Sequence, residues 1–173
     1  MKLEGLSPET HTAAAVIRLL DLAPLPDEGG HFRRTGEADL VLPDGRGRAW
    51  SAIYYLVTPE GFSALHRLAA DEVWCFHAGD PLESLRLRPD GTGEWVKLGL
   101  KVAAGERPQD VAPAGVWQGT RLAPGGRWAL VSTVMAPEFR TEEFELGKRQ
   151  QLIAAWPRYA DGIRSLTRAP TAT

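Results

Sequence analysis

From residue 31 to residue 136 the chain is cut into short runs, each closed by a glycine or proline turn. The run 50–57 is rich in aromatic and β-branched residues, and Thr58-Pro59-Glu60-Gly61 turns the chain after it. Residues 62–68 and 72–78 follow as two more strand-like runs. Leu85, Leu87 and then Val96, Leu98, Leu100 alternate with polar residues across Pro89-Asp90-Gly91-Thr92-Gly93, a hairpin signature. Residues 116–122 and 127–135 read as a further pair across Ala123-Pro124-Gly125-Gly126. Short strands at regular spacing, with such punctuation, predict a mainly β sandwich or barrel.

Helical segments flank this core. Ser7-Pro8-Glu9 combines a capping hydroxyl, a first-turn proline and an acid near the positive helix end. Val16, Ile17, Leu19 and Leu20 give an apolar stripe, and Ala23-Pro24-Leu25-Pro26 ends it. The expectation is a helix over 7–21 packed on the outside of the body. After Pro137 the pattern turns helical again, with short helices over 148–156 and 157–166 and a frayed tail over 169–173. A chain of 173 residues, without repeats or linkers, reads as one domain spanning 1–173.

The net charge of −2 is spread over interspersed acids and bases, unlike the basic stripe of a nucleic-acid partner. No apolar run is long enough to span a bilayer. Met1-Lys2-Leu3-Glu4-Gly5 lacks the apolar core of a signal peptide. The single cysteine, Cys75, cannot form an internal disulfide. These features predict a cytoplasmic protein with neither membrane nor nucleic-acid partners.

Alternation places candidate site residues. Ala64, His66 and Leu68 share one strand face; Glu72, Trp74 and Phe76 share another; Val116, Gln118 and Thr120 share a third. If the turn between 62–68 and 72–78 pairs those strands, His66 and Glu72 converge inside the barrel. His66 is then a metal ligand or general base, and the alternative is a core histidine satisfied by hydrogen bonds. Glu72 supplies the partner a buried titrating group needs. Tyr54 is the candidate acid opposite His66, or a plain core aromatic. Trp74, Phe76 and Trp117 could stack on a ligand ring or simply pack. Glu28-Gly29-Gly30 reads either as a backbone approach site for ligand or as a turn, with Arg33 as a clamp for an anionic group. Trp50, Trp95 and Trp128 read as barrel-wall or interface residues.

The blocks Gly61…His66…Glu72…Gly79 and Pro113-Ala114-Gly115-Val116-Trp117-Gln118 resemble the two motifs of the cupin superfamily. Leu68 stands at the second histidine of the first motif, and Gln118 at the histidine of the second. Further blocks run in order along the chain, from Pro26-Asp27-Glu28-Gly29-Gly30-His31-Phe32-Arg33 to Phe144-Glu145-Leu146-Gly147. They are similar to the cupin group DUF985, or cupin-5. The resemblance implies a double-stranded β-helix, the jelly-roll barrel of RmlC-like epimerases, and a homodimer. In metal-binding cupins three histidines and a glutamate hold the ion. This chain keeps two of the four, so the metal set would be His66, Glu72 and Gln118. An amide is a weak ligand and Leu68 is none, so no cofactor is expected, with a weakly held divalent metal as the exception. His31 and His77 are substitutes, though His77 alternates away from Glu72.

The expected function is binding of a small polar ligand, a sugar or nucleotide derivative being one class, in the barrel. His66, Glu72 and Tyr54 would carry a metal-independent isomerase or epimerase reaction. Glu28, Arg33, Trp74, Phe76, Trp117 and Gln118 would bind the ligand. The alternatives are a non-catalytic metabolite-binding module and a degenerate metal-dependent oxygenase or isomerase.

Overall fold

Two antiparallel sheets face each other in the computed structural model, which describes residues 5–168. In chain order the strands are β1 (Ala23–Pro24), β2 (His31–Glu37), β3 (Ser51–Val57), β4 (Ser63–Arg67), β5 (Asp71–Gly79) and β6 (Leu82–Leu87). They continue with β7 (Gly93–Leu98), β8 (Gln109–Ala112), β9 (Trp117–Leu122), β10 (Ala129–Ala136) and β11 (Glu145–Leu146). One sheet has the order β1-β2-β3-β10-β5-β8 and the other β11-β4-β9-β6-β7. Helix α1 (Ala13–Leu20) precedes them, and α2 (Arg149–Ala155) and α3 (Ala160–Ser165) follow. This is the expected mainly β barrel with flanking helices. The expected tail over 169–173 lies outside the described residues.

Three details differ from the sequence expectation. The helix inside 7–21 starts later than Ser7. Ser7 only closes a turn, its carbonyl accepting from the Thr10 and His11 amides at 3.1 and 2.8 Å. Thr12 is the cap, its extended backbone breaking that turn and its hydroxyl accepting from Ala15 N at 3.2 Å. The strands β9 and β10 form, but do not pair with each other. β9 lies between β4 and β6 in one sheet, and β10 between β3 and β5 in the other. Likewise β4 and β5 sit in opposite sheets, so His66 and Glu72 meet across the barrel rather than across a hairpin.

The interior and both outer faces are packed. Between the sheets, Tyr55, Val57, Trp74 and Phe76 of one sheet meet Leu82, Leu98 and Leu122 of the other. Outside the five-stranded sheet, Leu65, Leu85, Leu87 and Trp117 pack against Leu152, Ile163 and Leu166 of the C-terminal segment. Outside the six-stranded sheet, Leu56 and Leu130 pack against Val16 and Leu22 around α1. Trp128 locks α1 in place, its indole N–H donating to the His11 carbonyl at 2.8 Å. Because helices cover the outer faces, β6 turns Leu85 and Leu87 outward and Ser84 and Arg86 inward. No helix among the described residues is long and apolar enough to cross a membrane.

Candidate functional site

A cavity of about 80 Å³ opens between the sheets, lined by Glu28, Tyr55, His66, Glu72, Trp74 and Phe139 among others. A single water needs roughly 10–15 Å³ of such space, so the cavity suits a handful of waters or a ligand of a few heavy atoms.

Glu28 reaches the cavity on the tight loop between β1 and β2. Gly29 and Gly30 have φ of 104° and 70°. A Cβ at Gly29 would lie 2.5 Å from the Phe62 carbonyl oxygen, and one at Gly30 would lie 2.6 Å from the Tyr55 hydroxyl. Only glycine permits both this backbone conformation and this approach. The loop is pinned by Tyr55, whose hydroxyl donates to the Gly29 carbonyl at 2.7 Å, and by Ala64 N, which donates to the Glu28 carbonyl at 2.9 Å. The Glu28 carboxylate accepts from Ser63 Oγ at 2.6 Å. Burial pushes its pKa up; His66 and Ser63 oppose this, and the charge of Glu72 adds to it. Burial also pushes the Tyr55 phenol well above its usual range, with Glu28 adding to the effect, so it remains a donor.

A bulge in β4 aims His66. Ser63 pairs with Thr120 and His66 with Gln118, so β4 carries one residue more than β9 over this stretch. His66 is 2% exposed. Its Nδ1 lies 2.8 Å from the Ala64 carbonyl oxygen. A carbonyl only accepts, so the neutral ring carries its proton on Nδ1 and a lone pair on Nε2. Nε2 makes no hydrogen bond among the described residues. Phe144 stacks on the ring at 5.3 Å and 26°, and Glu28 Oε1 lies 3.9 Å from Nδ1.

Glu72 ends a buried polar chain. Its Oε2 accepts from Gln118 Nε2 at 2.7 Å and from Trp74 Nε1 at 3.2 Å. Gln118 Oε1 in turn accepts from Trp74 Nε1 at 3.1 Å and from Arg86 at 3.0 Å. Arg86 is 2% exposed and also donates to Ser84 Oγ at 2.6 Å and Asp110 at 3.1 Å. Burial pushes the Arg86 pKa down, and Asp110 opposes this.

The cavity thus gathers Glu28, His66, Glu72 and Trp74. Gln118 sits behind Glu72 with its amide committed, and Phe76 lies in the apolar interior cluster. Three expected site residues lie elsewhere. Tyr54 faces outward with the α1 cluster, its neighbour Tyr55 taking the inward position. Arg33 also faces outward, with its guanidinium 5.7 Å from the centre of the Tyr54 ring. Adjacent strand residues point to opposite faces, so a one-residue choice decides each of these. Trp117 alternates with Gln118 and lies on the outer face, under Leu152 and 4.9 Å from the Arg67 guanidinium. His77 is exposed and meets Ser132 Oγ at 2.8 Å; His31 pairs with Leu56 on the outer side. Sequence reasoning missed Ser63, Tyr55, Arg86 and Phe144. The Leu85-Arg86-Leu87 alternation carried the signal for Arg86, but with its faces inverted.

The site does not fit a tightly held transition metal. Leu68 lines the cavity with hydrocarbon, and the Gln118 oxygen already accepts from two donors. Among the described residues, no group of three or more His, Cys, Asp or Glu side chains is arranged to hold a metal ion.

Similar structures share this frame. A Shewanella oneidensis protein is 35% identical, with a TM-score of 0.85, over 91% of this chain and 98% of its own. A hypothetical protein from Leishmania major is 31% identical, with a TM-score of 0.84, over 92% of this chain and all (100%) of its own. An oxalate decarboxylase from B. subtilis is 13% identical, with a TM-score of 0.52, over 84% of this chain and 37% of its own, which is a likeness of fold alone. No curated protein matches the chain. Residues 14–147 match the family described as Cupin superfamily (DUF985), and the chain belongs to that family.

Proposed function

We propose that the chain binds a small polar ligand at the barrel mouth and that His66 acts there as a proton acceptor. One observation carries this reading: the Ala64 carbonyl ties down Nδ1 of a buried ring that lines the cavity with Glu28 and Glu72, leaving its Nε2 lone pair without a partner among the described residues. Glu28 is the matching donor, because burial lets its carboxyl hold a proton above the ordinary range. It takes the acid role expected of Tyr54. Glu72, oriented by Trp74 and Gln118, fixes the ligand's position.

A base and an acid on one small cavity support metal-independent isomerisation or epimerisation. His66 removes a proton next to a carbonyl, and Glu28 returns one. The cavity volume favours a small keto compound. A sugar or nucleotide derivative would insert only its reactive end. The tight bonding of Glu72 favours a second reading, a rigid binding module without turnover.

Solvent-deuterium exchange into hydroxyacetone, followed by NMR, separates the two. Exchange above the buffer rate in the wild type, lost in a folded His66→Ala variant, is the expected result. Binding without exchange supports the module. Binding and exchange both unchanged in His66→Ala contradict the proposal.

A further inference from the structure

The charges around the cavity point to a ligand class opposite to the one the sequence suggests. Glu28, with its side chain 15% exposed, and Glu72, a residue 7% exposed, both line it. The nearby cations among the described residues are engaged elsewhere. Arg34, at the rim, pairs with Glu37 at 2.7 Å and Glu138 at 3.8 Å. Arg86 gives its terminal N–H groups to Asp110, Ser84 and Gln118 while its buried Nε has no partner among the described residues, and Gln118 stands between it and Glu72. Arg168 donates to the backbone carbonyls of Asp27 and Glu28 and lies 5.3 Å from the Phe62 ring centre. The expected anion clamp, Arg33, faces away. His66 directs its Nδ1 proton to Ala64, and its Nε2 has no partner among the described residues. Glu72 Oε1 likewise makes no hydrogen bond among the described residues.

We infer that the ligand carries a small organic cation, an alkylammonium or amidinium group, held between the Glu28 and Glu72 carboxylates. Buried carboxylates without a paired cation are costly, and a bound cation removes that cost. Its N–H groups form charge-assisted bonds with the free carboxylate oxygens, and the rest donate to Nε2 of His66. Tyr55, Trp74, Phe32 and Phe139 give its methylene groups an aromatic wall. An anion would meet two like charges instead. Burial first, and then the charge of Glu72, raises the Glu28 pKa, and a cation between the two carboxylates opposes that rise.

This inference rests on the cavity being the ligand site and goes with the binding reading rather than with turnover, because Glu28 ionised against a cation is not a proton donor. Ethanolammonium, ethylene glycol and glycolate are matched in size and differ in charge. Their binding to the full chain is measured by ligand-observed NMR near neutral pH, with Glu28→Gln, Glu72→Gln and His66→Ala variants checked for folding by circular dichroism. Ethanolammonium is expected to bind about tenfold more tightly than ethylene glycol, with glycolate weakest, and each Gln variant to remove about that tenfold. If Glu72→Gln does not fold, Glu28→Gln on its loop carries the test. Equal or tighter binding of ethylene glycol or glycolate overturns the inference, as does ethanolammonium binding that both Gln variants leave intact. In those cases, weaker binding of the preferred probe in His66→Ala leaves the site reading standing. Binding of none of the probes overturns both. Stoichiometric Mn²⁺ or Zn²⁺ binding, lost in Glu28→Gln, overturns the inference in favour of a metal.

Discussion

The chain Asp110–Arg86–Gln118–Glu72–Trp74 and the pair Glu28–His66 lie in one barrel, yet they differ in how many of their bonds are made. In the first, both Gln118 amide atoms, the indole N–H and the Arg86 guanidinium terminus have protein partners. In the second, His66 Nε2 has none among the described residues, and the only ion-pair partner of the Glu28 carboxylate among them is His66 itself, at 3.9 Å. The bonds made in that network stiffen the core around it, although Arg86 Nε is buried without a partner among the described residues. A partnerless lone pair on a ring that lines the cavity marks a place where binding rather than folding makes the bond.

That contrast breaks most visibly at Arg86. Arg86→Met leaves Asp110 with Arg107 alone and strips Ser84 and Gln118 of a charged donor, and should cost about 3 kcal/mol in urea unfolding. A loss below about 1 kcal/mol would mean the network is not the scaffold described here. Gln118→Leu removes the central link and leaves Glu72, Trp74 and Arg86 each one bond short. Its expected cost is about 1–3 kcal/mol, read the same way. At the mouth, His66→Leu keeps volume and removes only the Ala64 bond. It should cost about 1 kcal/mol in the same assay while abolishing ligand binding, the reverse of the balance at Gln118.

The smallest effect is at Glu28 and depends on pH. Its native pKa lies above the unfolded value, chiefly through burial. Its contribution to stability is therefore fully present below the unfolded value, about pH 4.3, and is lost as pH rises through the native one. Glu28→Gln should match the wild type in thermal melts at low pH and become the more stable protein as pH rises toward neutrality. Equal stability across the whole range would remove the buried, unpaired carboxylate from the account.

The sequence made the barrel readable because turn punctuation and strand periodicity agree along its whole middle. It made His66, Glu72 and Trp74 readable because each stands on a strand with a clear alternation. It failed where both faces of a strand are buried. In Tyr54-Tyr55-Leu56-Val57 the hydrophobic pattern has no polar side, so nothing local decides between Tyr54 and Tyr55, or between Arg33 and Arg34 on the paired strand. In β6 the pattern misled outright, since Leu85 and Leu87 meet the C-terminal helices and Ser84 and Arg86 fill the barrel. Strand partners were equally hidden, because the turns before β5 and β10 cross between sheets while looking like hairpin turns. Glu28 came from the family-like block, and only the loop's approach to Phe62 and Tyr55 shows how it enters the cavity.

The central claim, that His66 offers a bare Nε2 to the cavity, is tested most directly by long-range ¹H–¹⁵N correlation of the histidine rings in ¹⁵N-labelled protein. With the ring neutral, the account predicts that His66 is the Nδ1–H tautomer, assigned by its absence in His66→Ala. An Nε2–H tautomer would contradict the account, because the nitrogen facing the ligand would then be a donor with no lone pair to accept a proton.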